Sequence, residues 1–195
     1  MNQFPEAKTH HRLQYVLWIA FLLANIYTML ALMPDSLEKI RGASPNGESV
    51  TLPDKTPRGF TSDELYYFLD KIGETGRQEY LRFHLTIDLM FPFLYGLFLA
   101  LTIRILSTHV TRRKLTGWLL PVVPVLALVA DLAENHHLHI LTQQFPDFSP
   151  LLVMRASFFN ILKWNLVYIS VLLIIALVAM YFVNKKRRLP QKMAG

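Results

Sequence analysis

The sequence predicts an all-α, polytopic membrane protein: a four-transmembrane-helix bundle with a short extracytoplasmic amphipathic helix. Three observations predict it. Hydrophobic residues make up 52% of the 195 and charged residues only 17%, where soluble domains carry about 25% charged. The apolar residues gather in four runs, each near the roughly 20 that a hydrocarbon core requires. The basic residues stand in short segments beside those runs, the pattern that orients a membrane protein.

The four expected spans are residues 15–33, 85–106, 115–132 and 157–183, joined into one membrane domain covering 1–195. The first is read as ending at Pro34. It is too long for the apolar core of a signal peptide and is followed by no small-residue cleavage site. Orientation follows from Lys8, Arg12, Arg104, Arg112, Arg113, Lys114, Lys185, Lys186, Arg187, Arg188 and Lys192. These are 11 of the 20 basic residues, and their segments hold a single acid of the 14, Glu6. The positive-inside rule therefore places both termini and the second connection in the cytoplasm, with a bacterial-type inner membrane as the expected address. The net charge of +6 is this orientation signal, and nucleic acid is not an expected partner. With no cysteine in the chain, thiolate metal sites, disulfides and cysteine nucleophiles are excluded.

Residues 34–82 form the long extracytoplasmic connection. Gly42 to Phe60, with Pro45, Pro53 and Pro57, reads as irregular. Thr61-Ser62-Asp63-Glu64 is a capping box, and Leu65, Phe68, Leu69 and Ile72 follow on one helical face until Gly73. A helix over Ser62–Ile72 is predicted, lying on the membrane surface or covering the mouth of the bundle as a lid.

Ionisable groups inside the spans carry the functional argument, since each costs about 2.5 to 3.5 kcal/mol at a helix centre and normally faces a partner. Asp88 lies about 5 Å inside the second span, with His84 and Tyr95 on its face and Pro92 between. Asp131, Glu134 and Asn135 share a face at the outer end of the third span, followed by His136, His137 and His139. Asn160, Lys163 and Asn165 lie in the outer third of the fourth, Lys163 about 9 Å deep. Asn25 and Thr28 lie in the outer half of the first. Each span thus brings polar groups to the same outer half, while the inner halves are apolar. Lys163 needs an anion, which Asp88 or Asp131 supplies.

Three functions fit. The first is binding of a lipid-like or amphiphilic small molecule in an acidic, histidine-containing pocket, with Asn25, Tyr95, Asp131, Asn135 and Asn160 as ligand contacts and membrane lipids as surroundings. The second is a membrane-embedded enzyme using Asp88, Glu134, His84 and Lys163 in acid–base chemistry. The third is an accessory subunit in which the same groups only fix helix register. His84, Asp88, Glu134 and His137 are also of the types that zinc accepts, without an H-E-x-x-H motif. Ser149 and Ser157 lack a nucleophile-elbow context. Haem between histidines is disfavoured because His84 and His109 lie at opposite ends of one span. Trp118, Trp164, Tyr66, Tyr67 and Tyr80 read as interfacial anchors. The layout of four spans, cytoplasmic ends and a long outer first connection is similar to that of the emopamil-binding group of sterol isomerases and receptors. The likeness covers topology and buried acids, and no residue role is carried over from it.

Overall fold

A computed structural model describes residues 6–42, 51–111 and 114–192, which are helical with no strand among them. Lys8, Arg112, Arg113, Lys186 to Arg188 and Lys192, used above for orientation, and Pro45 of the loop lie outside the described residues or side chains. Four helical stretches, Arg12–Arg41, Gly73–Val110, Gly117–Gln143 and Pro150–Lys185, are long and apolar enough to cross a membrane. All are longer than hydropathy alone indicates, because polar ends continue the helices past the apolar runs.

The first stretch begins with α1 (Glu6–Tyr27). Pro34 does not end it. A π-turn over Thr28–Leu32 widens the backbone, Met33 N–H bonds to Thr28 O, and α2 (Met33–Gly42) continues. Pro34 thereby falls in the first turn of a new helical segment, where a missing N–H and a fixed φ are tolerated. Of the connection, Pro53–Lys55 is a single 3₁₀ turn. Helix α3 (Ser62–Lys71) opens on the predicted capping box: Glu64 N–H donates to Thr61 Oγ1 and Thr61 N–H to Glu64 Oε2. Gly73, at φ 65°, turns the chain straight into α4 (Gly73–Leu85), and a break at Thr86 leads to α5 (Ile87–Val110). Helix α6 (Lys114–Leu119) is separated from α7 (Val122–Gln143) at Pro121, whose missing N–H favours a helix start over a helix interior. Helix α8 (Pro150–Lys192) has 43 residues, about 65 Å at 1.5 Å per residue, twice a hydrocarbon core.

The apolar core is off-centre. Leu37 and Ile40 of α2, Leu52, Phe60, Leu65, Phe68, Leu69 and Ile72 of the connection, Tyr80 and Phe83 of α4, Leu138 and Leu141 of α7, and Val153 and Ala156 of α8 make one buried cluster. The described residues of the 34–82 connection therefore form a folded cap on one end of the bundle. The predicted apolar face of α3 packs against protein in that cap instead of lying on a membrane surface. Elsewhere large apolar side chains such as Leu13, Val16, Leu126, Leu172 and Phe182 face outward, as a lipid-facing surface requires.

Below the cap, α5, α7 and α8 pack together. Gly96 brings α5 close to α7, since a Cβ there would stand 2.8 Å from Leu128 Cβ. Helix α1 leans on α5, where Trp18 Nε1–H donates to Thr102 Oγ1 at 2.7 Å. Arg104 holds α6 by donating to Gly117 O at 3.0 Å and stacking 3.8 Å above the Trp118 ring.

Candidate functional site

Beneath the cap, α7 presents Asp131 and Glu134 one turn apart, and α8 places Lys163 between them. Lys163 Nζ lies 3.2 Å from Asp131 Oδ1 and 2.5 Å from Glu134 Oε2, with all three side chains at most 10% exposed. From α5, Tyr95 O–H donates to Asp131 Oδ2 at 2.9 Å. Three helices are thus tied through one lysine and its two carboxylates. The anions that meet Lys163 are Asp131 and Glu134; Asp88 takes a different partner.

That partner is His84. On α4, its Nδ1 lies 2.8 Å from Asp88 Oδ2, and both side chains are buried. With Asp88 accepting, the proton sits on Nδ1 and Nε2 is left as the free ring nitrogen. Asn135 of α7 donates to the Asp88 backbone carbonyl at 2.8 Å, holding the start of α5 against α7. The Tyr80 ring packs at a tilt against His84, with ring centroids 4.2 Å apart. It is fully buried and is not the interfacial anchor expected from its sequence position.

Asp54 completes the cluster and comes from the segment read as irregular loop. Pro53 starts the 3₁₀ turn, and both Pro53 and Asp54 are buried. The Asp54 backbone carbonyl accepts from Asn160 Nδ2 at 2.9 Å and from Trp164 Nε1 at 3.1 Å. Asn160 Nδ2 also donates to Glu134 Oε1 at 2.7 Å, so one amide group joins the loop to the ion cluster. Trp164, expected as an interfacial anchor, serves here instead. Burial pushes the Asp54 carboxyl above its usual range, against the opposing pull of Lys163, with Asp88 adding to the upward shift. The sequence signal was Leu52-Pro53 and Phe60, apolar residues flanking a short polar stretch, but without periodicity they give no register.

Other expected contributors lie elsewhere. The Asn25 amide donates within α1, to Phe21 O. Asn165 is exposed and donates to Ile161 O. His137 Nδ1 lies 2.6 Å from Ala133 O and its ring packs on Phe159. Among the described residues no three His, Asp or Glu side chains gather as metal ligands, so the suggested set His84, Asp88, Glu134 and His137 does not assemble. Ser157 Oγ accepts from Phe60 N–H at 3.0 Å, a structural task.

The cluster is rich in acceptors. Asp54, Asp88, Asp131 and Glu134 are all buried, against the buried cations Lys163 and, when protonated, His84. Asp54 Oδ1, Asn135 Oδ1, Asn160 Oδ1, His84 Nε2 and Tyr80 O–H have no hydrogen-bond partner among the described residues. Each such group costs about 1–3 kcal/mol when left unmet. Chemically the site can accept hydrogen bonds from a guest, and the Asp88–His84 pair can orient an imidazole for proton transfer. No family model matches the chain, and neither curated proteins nor solved structures gave a match.

Proposed function

We propose that this protein binds a lipid-like amphiphile, with the head group at the Asp54–His84–Asp88–Asp131–Glu134–Lys163 cluster and the tail among the apolar faces of α5, α7 and α8. In this reading both termini are cytoplasmic, the capped end faces outward, and the membrane is a bacterial inner membrane. One observation carries the proposal: buried carboxylates outnumber buried cations, and unpartnered acceptors adjoin them. A purely structural ion network gains by neutralising its charges and meeting its acceptors. A surplus of acceptors suits a guest whose head donates hydrogen bonds. The test is thermal unfolding in neutral micelles with matched-chain amphiphiles. A monoacylglycerol or an alkylamine should raise the midpoint of wild type, and Asp88→Asn should lose most of that rise. An unchanged rise in Asp88→Asn removes Asp88 from the site.

A second reading, a membrane-embedded enzyme on a lipid-like substrate, is favoured by the His84–Asp88 pair. In it His84 Nε2 takes or gives the proton, Asp88 holds the ring, and Lys163 faces developing negative charge. Purified protein in vesicles of total bacterial lipid would then convert a lipid species, and His84→Ala would not. Identical lipid profiles for the two proteins would discard it.

A further inference from the structure

Residues 52–60 form a strap across the cluster. Its feet are apolar and buried, Leu52 at one end and Phe60 at the other. Between them Lys55, Pro57 and Arg58 face outward, and Arg58 pairs with Glu64 on the exposed side at 2.9 Å. The inner side is fastened to a single face of α8. Asn160 and Trp164 hold the Asp54 carbonyl and Ser157 holds the Phe60 N–H. Gly59, at φ 81°, lies so close to α8 that a Cβ would collide with Ser157 Oγ and crowd Ile161. Only glycine meets both the left-handed backbone and this approach.

The strap is more than a cover, because Asp54 points a carboxylate inward. The residue is 8% exposed, its Oδ1 has no partner among the described residues, and the charges of Lys163, Asp88 and His84 act on it. Its fastening is local and made by side chains, whereas the cluster's other members stand on long helices that cannot swing aside. Among the described residues the strap is thus a wall that can part without moving a helix, by breaking these hydrogen bonds to α8 and lifting Leu52 and Phe60 from the cap core.

We infer that the 52–60 strap is the gate of the amphiphile site and that Asp54, carried on it, is a ligand-contacting residue that selects a hydrogen-bond-donating head. The inference rests on the binding reading above. A guest reaches the cluster when the strap lifts from α8. When the strap reseats, Asp54 accepts a hydrogen bond from the head, and Asn160 carries the closure to Glu134 because its amide donates to both.

The test uses the full-length protein in neutral micelles. The chain lacks cysteine, so Leu52→Cys introduces a unique thiol, with Lys55→Cys as the exposed control. Maleimide should modify Leu52→Cys at least about tenfold more slowly than Lys55→Cys, as a buried site opening by local separation requires. Ser157→Ala or Gly59→Ala should speed the first reaction and leave the second unchanged, and saturating monoacylglycerol should slow the first. Hydrogen exchange over residues 51–60 in the protein with Leu52 intact makes the same comparison without a core substitution. Asp54→Ala, which removes the side-chain acceptors and keeps the backbone carbonyl bonds, should lose the midpoint rise given by monoacylglycerol. It should keep any rise given by the di-O-methyl analogue of the same chain, which is uncharged and has no O–H. Exchange over 51–60 that ignores Ser157→Ala and Gly59→Ala overturns the gate. A full rise with monoacylglycerol in Asp54→Ala overturns the contact. If no amphiphile shifts wild type, the binding reading falls and takes the Asp54 contact with it, while the exchange data still decide whether the strap opens.

Discussion

Lys163 is the residue on which the buried charges depend. Removing it leaves Asp131 and Glu134 inside the bundle without a cation, and breaking a buried pair by deleting one partner costs about 3–5 kcal/mol. Lys163→Met should therefore lower the thermal midpoint sharply, and adding Asp131→Asn and Glu134→Gln should restore most of it; a midpoint that ignores the compensating pair would argue against the triad. Asp54 makes a pH prediction. Burial raises its carboxyl above the ordinary 3.8, so the folded protein holds that proton more tightly than the unfolded chain does. The stability this confers is full below the ordinary value and is lost as pH rises through the raised folded value. Wild type should lose stability relative to Asp54→Asn on going from about pH 4 to pH 7, the difference in midpoints being the measurement. Of the cluster, Asp131, Glu134, Asn135, Asn160 and Lys163 were legible because helical periodicity puts a polar residue in an apolar run on a definite face. The Asp88–His84 pairing was legible from its four-residue spacing. Asp54 was not, since a loop has no period and its depth depends on which tertiary groove Leu52 and Phe60 find.

At the scale of elements, the cap and the α5–α7 contact are the parts most open to test. Thr61→Ala removes the side-chain acceptor of the α3 capping box and should cost about 1 kcal/mol, read as faster hydrogen exchange in Ser62–Lys71 with little change in α5. The strap's three bonds to α8 are worth about 0.5–1.5 kcal/mol each by the usual net value, and re-exposing Leu52 and Phe60 adds about 1.5–3 kcal/mol each, so local opening is set mainly by these two apolar feet. Gly96→Ala places a methyl against Leu128 and should destabilise by about 1–3 kcal/mol, since overpacking forces neighbours off their rotamers. Leu128→Ala in the same chain should recover part of the loss, and a strictly additive pair would show that the contact is not tight. The amphipathic face of α3 and its cap were readable from sequence to the residue. The continuation of helix past Pro34 was not, because hydropathy and proline signals give no warning of a π-turn that shifts the proline into a fresh first turn.

For the molecule as a whole, four apolar helices were legible from composition and run length, while their true extents were not. Helices α4, α7 and α8 continue through polar residues that pack inside the cap. Hydrophobicity therefore stops before the helix does. The proposed orientation predicts that a cysteine in place of Lys55 reacts with a membrane-impermeant maleimide added to intact cells, and that one in place of His109 reacts only after permeabilisation. The opposite pattern would invert the topology. The pinning of residues 54–60 to α8 also bears on how this chain can vary. Asp54 and Phe60 grip the same helix at separate turns, so the distance between them is set by the pitch of α8. Lengthening the chain there by even one residue would misalign one grip or the other. Related chains should thus agree in length within this segment.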